Sequence, residues 1–253
     1  MDALTRHNNN VIPVPEAITA PDVIPLPDNL FYQRIRQELA GVVNFKEITT
    51  SLVQQPLDSI ANRFIKRTID IVVALLMIVL VLSWLTPLLA VLIRLSSKGP
   101  VFFFQQRNKR NGELFTCIKF RSMVVNADAD ILPAGEKDPR ITKLGRFLRR
   151  YYIDELPQFI NVLSGDMSVV GPRPHMVSDN IKYGNFIEFY HYRHKVKPGI
   201  TGLSQVLGYV GTTEGDIQKM KDRVRLDLFY WRHWSFRLDI VILLRTMGRM
   251  IGV

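Results

Sequence analysis

The chain has 253 residues, a formal net charge of +10 and a pI of about 9.8. That length suits one domain with a sizeable core plus appendages, and the charge points to polyanionic partners: phosphate-bearing small molecules, an anionic membrane or nucleic acid. The single cysteine, Cys117, excludes an internal disulfide, no Cys/His zinc spacing occurs, and a reducing compartment is expected.

Residues 1–10 are polar and predict no secretory leader. Over residues 1–28, Pro13, Pro15, Pro21, Pro25 and Pro27 break any helix and the apolar residues have no useful period, so disorder is predicted. A short amphipathic helix is expected over 28–45, with Leu30, Phe31, Ile35 and Leu39 on one side. Its simplest reading is a surface-packing helix; a cover over the catalytic part, or self-association into a homodimer, are the alternatives. Residues 1–60 are therefore read as an N-terminal extension.

Residues 71–93 contain no charged residue. As a helix of about 1.5 Å per residue they reach roughly 35 Å, enough to cross a bilayer core. Lys66 and Arg67 precede the run, and Arg94 and Lys98 follow it. Positive charge at both ends favours a re-entrant hairpin, which returns to its own side, over a single span. Pro87, preceded by Thr86, is the expected break, because proline removes a backbone donor and bends a helix. Asp70, one turn after Lys66 and Arg67, is expected to pair with them. Residues 61–98 are read as a membrane anchor, with a further domain over 99–253.

Beyond Gly99 and Pro100, residues 101–106 and 114–120 are rich in β-formers and flank Asn111-Gly112, which predicts a β-hairpin. Lys119 and Arg121, two apart, are expected on one strand face, either as a solvated basic patch or as phosphate contacts. Residues 124–140 read as a polar loop whose acids, Asp128, Asp130 and Asp138, are solvated.

Apolar residues at helical spacing, Leu144 to Tyr152 and then Leu156 to Leu163, predict two helices with a break before Pro157. That places Asp154 at a helix N-terminus. The ordinary reading makes Asp154 an N-cap and Glu155 a first-turn acid. The sharper reading makes Asp154 a nucleophile towards phosphorus, with a metal-binding neighbour.

Farther on, Pro172 and Pro174 stiffen the backbone around Arg173, either as a rigid turn or as a device presenting a bidentate cation to a phosphate. Residues 193–202 form a second basic loop; His191 and His194 lack a third zinc ligand. Residues 219–234 are expected to be helical, with Leu226, Phe229, Tyr230 and Trp234 as a packing or interfacial stripe. Residues 236–250, apolar but carrying Arg237, Arg245 and Arg249, read as a basic amphipathic helix on a membrane surface.

Several of these runs occur together. Lys66-Arg67-Thr68-Ile69-Asp70, Lys119-Phe120-Arg121-Ser122-Met123, Thr142 through Arg150, Asp154-Glu155-Leu156-Pro157-Gln158, Gly171-Pro172-Arg173-Pro174 and Lys197 through Gly202 give the chain from about Lys66 onward its character. In this it resembles the bacterial sugar transferase family, monotopic polyprenyl-phosphate phosphoglycosyl transferases. The resemblance implies an α+β, mainly helical fold with a re-entrant helix-break-helix at Thr86 and Pro87, a β-hairpin and amphipathic interfacial helices. It implies transfer of a sugar-1-phosphate from a UDP-sugar to polyprenyl (undecaprenyl) phosphate, releasing UMP and starting exopolysaccharide, capsule or O-antigen synthesis.

By the same carry-over, Asp154 is the nucleophile and Glu155 holds Mg²⁺. Arg149, Arg173 and Lys119 bind phosphate, and Pro172 and Pro174 frame the nucleotide. Thr86 stands where the family has serine before the proline, and its hydroxyl is expected to make the back-bond. The implied setting is the bacterial inner membrane, with the active site on the cytoplasmic face against anionic phospholipid. His175-Met176-Val177 suggests a hexose-1-phosphate donor such as glucose or galactose. The competing reading, a non-catalytic membrane scaffold for polysaccharide assembly, leaves the Asp154-Glu155 pair unexplained. Nucleic acid is not expected as a partner, since no recognition motif accompanies the charge.

Overall fold

The computed structural model describes residues 55–126, 134–135, 138–209 and 217–250. The chain divides into two units, residues 1–50 and 51–253, and all described residues belong to the second. The disorder expected over 1–28 and the helix expected over 28–45 lie outside the described residues, as do Asp128 and Asp130. The described part is mainly helical, with two small sheets.

One helical rod of 37 residues, Ile60–Ser96, opens it. It comprises α1 (Ile60–Met77), a π-helical turn (Ile78–Leu82) and α2 (Ser83–Ser96). Its mean hydropathy reaches 2.7 over an 18-residue window, of which only 11% is buried. Phe64, Val72, Leu76, Val79, Leu80, Trp84, Leu88, Val91 and Leu95 stand exposed. A core helix hides such side chains; an apolar solvent removes the cost of exposing them.

The departure from α-geometry comes earlier than the proline. The Ser83 N–H donates to Ile78 O, five residues back. Pro87 lies inside α2. The back-bond expected of Thr86 is made by Ser83, whose Oγ donates to Val79 O at 2.6 Å. Trp84 Nε1 donates to Leu80 O at 2.9 Å. These side chains supply donors where the backbone ladder slips, within the π-helical turn.

Both ends of the rod are tied to one body. Arg67 donates to Val162 O (2.6 Å) and Leu163 O (2.8 Å) at the end of α4, residues Gln158–Ser164. Asp70 accepts from Ser168 Oγ (2.8 Å) and from the Val169 N–H (2.9 Å). Lys66 pairs with Asp239 at 2.7 Å. The expected pairing of Asp70 with Lys66 and Arg67 is thus replaced by bonds to β3 (Ser168–Val170), because each of the three finds a buried partner in the body. At the far end Arg121 donates to Lys98 O, Ser97 O and Ile93 O.

The predicted hairpin forms. β1 (Phe102–Asn108) runs antiparallel to β2 (Leu114–Phe120), with Phe102 opposite Phe120 and Asn108 opposite Leu114. Asn111 and Gly112 take φ values of 62° and 79° in the connection, conformations these two residues tolerate. The shared face expected for Lys119 and Arg121 does not occur. Arg121 lies beyond the end of β2 and turns into carbonyls at and just past the end of α2, while Lys119 goes to Glu155.

α3 (Lys143–Arg150) is capped by Thr142, whose Oγ1 accepts the Gly145 N–H at 2.8 Å. α4 docks on β2 through Asn161, which accepts the Ile118 N–H (3.0 Å) and donates to Thr116 O (2.8 Å). β3 pairs in parallel with β4 (Gly199–Thr201). After α5 (Val177–Gly184) and the short α6 (Leu203–Val206) come α7 (Ile217–Arg232) and α8 (Phe236–Met250). The expected stripe on α7 is a packing one: Leu226, Phe229 and Tyr230 are buried, as is Trp234 just beyond the helix. α8 buries Leu238, Asp239 and Ile242 and exposes Phe236, Ile240, Leu244 and Met247 along one face.

Candidate active site

Four pieces of chain converge on Asp154 and Glu155. α3 ends at Arg150, and Tyr152 takes a left-handed conformation, φ 56°. A non-glycine residue there costs on the order of 1 kcal/mol, a strain typical of functional turns. It swings the chain into a 3₁₀ turn, Ile153–Glu155, with both acids buried. Asp154 is therefore not the helix N-cap that the sequence predicts. Pro157 occupies that place before α4, because the chain needs a full extra turn after Tyr152.

The two neighbours differ in what they hold. Glu155 Oε1 receives Lys119 Nζ at 2.8 Å and Arg173 Nη2 at 2.6 Å, and Oε2 receives Arg173 Nη1 at 3.0 Å. The arginine contact is bidentate, the geometry a planar guanidinium makes best. Among the described hydrogen bonds the Asp154 carboxylate accepts none, although it is only 8% exposed. An N-cap aspartate accepts backbone N–H groups, so that role does not explain it.

The charges set the two acids apart. Burial, then the negative charge of Glu155, push Asp154 up to about 6, against the pull of Lys119, Arg149 and Arg173. Burial would raise Glu155 too, but Arg173 and Lys119 overcome it and hold that carboxyl below the usual range. The Glu155 charge in turn raises Arg173. Near neutral pH both acids are ionised, and three cations face two carboxylates. The surplus positive charge suits an incoming phosphate.

The scaffold that holds Arg173 was not legible as such. Gly171 and Gly199 let β3 and β4 cross closely; a Cβ on Gly171 would sit 2.5 Å from Lys197 O. The Gly199 N–H donates to Pro172 O at 2.8 Å. Arg193 Nη2 donates to Arg173 O at 2.7 Å, and Arg193 pairs with Asp227 at 2.8 Å, both fully buried. Arg107 Nη1 donates to Pro174 O at 3.0 Å. The carbonyls of Pro172 and Pro174, on either side of Arg173, are thus fixed by β4 and β1. The basic loop over 193–202 marked Arg193 as a cation, but nothing in the sequence marked Asp227 as its partner on α7.

Arg149, at the end of α3, is near enough to lower Asp154 and also donates to Ala134 O at 3.5 Å. Cys117 is buried, and burial pushes its thiol up, so it is no nucleophile. Thr86 and Pro87 lie on the apolar rod rather than among these residues.

A divalent cation fits in one way. Among the described residues no three His, Cys, Asp or Glu side chains group as a metal cage. Glu155 Oε2, with a single donor, and the uncommitted Asp154 oxygens leave room for one ion. Mg²⁺ commonly takes one or two carboxylates and completes its shell with water and substrate phosphates.

Comparison with known proteins adds what the chain is similar to. A family model described as bacterial sugar transferase matches residues 61–252. A UDP-glucose:undecaprenyl-phosphate glucose-1-phosphate transferase of Escherichia coli (strain K12) is 45% identical over 91% of this chain and 49% of its own length. One of the same name from Caulobacter vibrioides is 41% identical over 78% of this chain and 73% of its own. An undecaprenyl-phosphate galactose phosphotransferase of Salmonella typhimurium is 38% identical over 79% and 43%. The chain spans about half the length of most of these relatives.

Proposed function

The chain belongs to the bacterial sugar transferase family, and from that premise we propose that it transfers a sugar-1-phosphate from a UDP-sugar to undecaprenyl phosphate, releasing UMP. The observation that carries the reading is the division of labour in the dyad. Glu155 is held by Lys119 and Arg173, while Asp154 beside it is ionised at neutral pH and accepts no hydrogen bond among the described residues.

In the first step an Asp154 Oδ attacks the phosphorus that carries the sugar. An O–P bond forms, the P–O bond to the uridine phosphate breaks, and UMP leaves with that electron pair. In the second step a polyprenyl phosphate oxygen attacks the same phosphorus, and Asp154 departs as carboxylate. No net proton moves. Carboxylates serve as nucleophiles of this kind in phosphoryl transfer, which depends mainly on positioning and charge neutralisation. Arg173, Arg149 and Lys119 face the phosphate oxygens and offset the repulsion between nucleophile and diphosphate. Glu155 positions Arg173 and Lys119 and, by its own charge, keeps Asp154 from becoming too weak a base. A Mg²⁺ arriving with the nucleotide would neutralise and orient the diphosphate, with Glu155 as its protein ligand.

The anchor suits a lipid acceptor. A straight helix from Arg67 to Ile93 would be about 39 Å long. Arg67 is held at Val162 and Ile93 by Arg121, and Asn161 next to Val162 accepts the Ile118 N–H, three residues before Arg121, so both ends of this stretch are anchored to the same body. Ends fixed to one body favour a helix that enters the bilayer and returns, bending near Ile78–Leu82 and Pro87. The exposed apolar stripe of α8 and its arginines then rest on the same face of the membrane, the cytoplasmic face of the inner membrane, where UDP-sugars are available. Names of the relatives span glucose, galactose and N-acetylgalactosamine donors; we take a UDP-hexose, glucose first, as the donor. The test is UMP release from a panel of UDP-sugars with undecaprenyl phosphate and Mg²⁺. Turnover with one UDP-hexose is expected, and none with any member of the panel would overturn the reading.

A further inference from the structure

A second basic site lies apart from the dyad. A cavity of about 230 Å³ opens between the start of α1, the chain around residue 196 and the end of α7. Its lining carries Arg63, Lys66, Arg67, Arg110, Lys195 and Lys197 against only Asp58 and Asp70. None of Lys119, Arg149, Asp154, Glu155 or Arg173 lines it.

The two acids do not offset these cations. Asp70 is committed to Ser168 and Val169, and Asp58 accepts the Gln55 N–H at 3.0 Å. Lys66 and Arg67 are committed inward, to Asp239 and to the α4 carbonyls. Arg63, Arg110, Lys195 and Lys197 have no carboxylate partner among the described residues. Arg110 Nε is buried without a hydrogen-bond acceptor. Lys197 Nζ and Arg67 Nη2 both lie within 3.6 Å of the point a Cβ on Gly165 would occupy, so two cations crowd one spot. Burial, then the nearby Arg67 charge, lower Lys197, the direction expected of a cation lacking its counter-ion. Converging like charges in a concave site are stabilised only by an anion.

Size and position narrow the ligand. The volume is below that of pockets for drug-sized molecules and suits one small headgroup. Tyr230, Trp231, Leu57 and Val196 add apolar wall beside the cations. Arg63 to Arg67 stand immediately before the charge-free run, where the rod enters the apolar phase. Basic pockets at such helix ends bind the phosphates of lipid headgroups.

We propose that this cavity is a phosphate-binding site separate from the reaction centre. The position favours the headgroup of an anionic glycerophospholipid as the source of the phosphate; free phosphate is the other source. The site would fix the depth of α1 at the interface through one bound lipid.

The full chain, purified in detergent and stripped of lipid, can be offered equal dioleoyl phosphatidylglycerol and dioleoyl phosphatidylcholine, with retained lipid counted by native mass spectrometry. Selective retention of one phosphatidylglycerol per chain is expected. Arg110→Gln with Lys197→Met should reduce it at least tenfold. Arg63→Gln, at an exposed position whose loss cannot disturb the core, should reduce it severalfold, which guards against misfolding of the double variant. In a parallel arm, millimolar inorganic phosphate is added to lipid-free protein and Tm is read. Lipid retention without a phosphate response identifies the headgroup as the source, and a Tm rise without lipid retention identifies free phosphate. Absence of both, or equal binding by wild type and all variants, overturns the proposal. Neither readout involves turnover, so the outcome is independent of the reaction proposed above.

Discussion

Asp154→Asn should do two opposite things to this protein. It removes the attacking oxygen, so turnover should fall by at least about 10³-fold. It should also make the fold more stable near neutral pH. Asp154 rises from the ordinary 3.8 to about 6, chiefly through burial and the charge of Glu155. A shift of that size corresponds to about 3 kcal/mol. A carboxyl raised in the folded state stabilises the fold fully below its unfolded value, and that contribution disappears as pH climbs through about 6. Above pH 7 the ionised Asp154 is therefore a cost that asparagine does not carry. Glu155 runs the other way: its contribution is present above its ordinary 4.5 and is lost as pH falls.

Some of the gain is returned, because the buried asparagine amide carries a desolvation cost of its own. A net gain of about 1–2 kcal/mol at pH 7.5 is expected, which for a unit of this size raises Tm by roughly 2–8 °C. Asparagine forfeits no hydrogen bond there. Thermal unfolding in detergent at pH 7.5 and pH 5.0 measures the effect. The increment should shrink at pH 5.0, where wild-type Asp154 is mostly protonated. A lower Tm at pH 7.5, or the same increment at both pH values, would refute the electrostatic account of the dyad.

Other perturbations separate the remaining roles. Arg173→Lys keeps the charge but loses the two-pronged contact with Glu155, and kcat/KM should fall about 10–100-fold with little change in Tm. Asp227→Asn leaves the buried Arg193 unpaired; a destabilisation of about 3–5 kcal/mol is expected in denaturant unfolding, because both partners are almost fully buried. Chelation with EDTA should stop UMP release yet leave the Tm of nucleotide-free protein unchanged, as expected of a cation that enters with the donor. Cysteines introduced at Asn44 and Asn126 should both resist a membrane-impermeant thiol reagent applied outside intact cells, with buried Cys117 giving little background. Labelling at Asn44 alone would mean that the rod crosses the bilayer.

The sequence was most readable where chemistry or solvent leaves a local trace. The charge-free run, the hairpin around Asn111-Gly112 and the helices over 217–232 and 236–250 could be placed from periodicity and composition. The convergence of Lys119, Asp154, Glu155 and Arg173 rested on the family resemblance, since no spacing rule brings β2 to the Ile153–Glu155 turn. Misreadings came where long-range partners decide. Asp70 had two cations within one turn, but β3 offered a hydroxyl and an N–H in a dry setting. Arg121 was assigned to a strand face by alternation, but the strand ends one residue earlier. Asp154 was assigned to a cap by its distance from Pro157, but the left-handed Tyr152 inserted another turn. The same limit hid Arg193 and Asp227, whose pairing spans 34 residues.

The central claim is that Asp154 carries the sugar phosphate between donor and lipid. Incubating the protein with UDP-sugar and Mg²⁺ but no lipid acceptor, then digesting and reading the peptides by mass spectrometry, tests it directly. One sugar phosphate on the Asp154 peptide, with one UMP released per chain, is the expected result. A label on another side chain, or none in an enzyme that turns over once lipid is added, would contradict it.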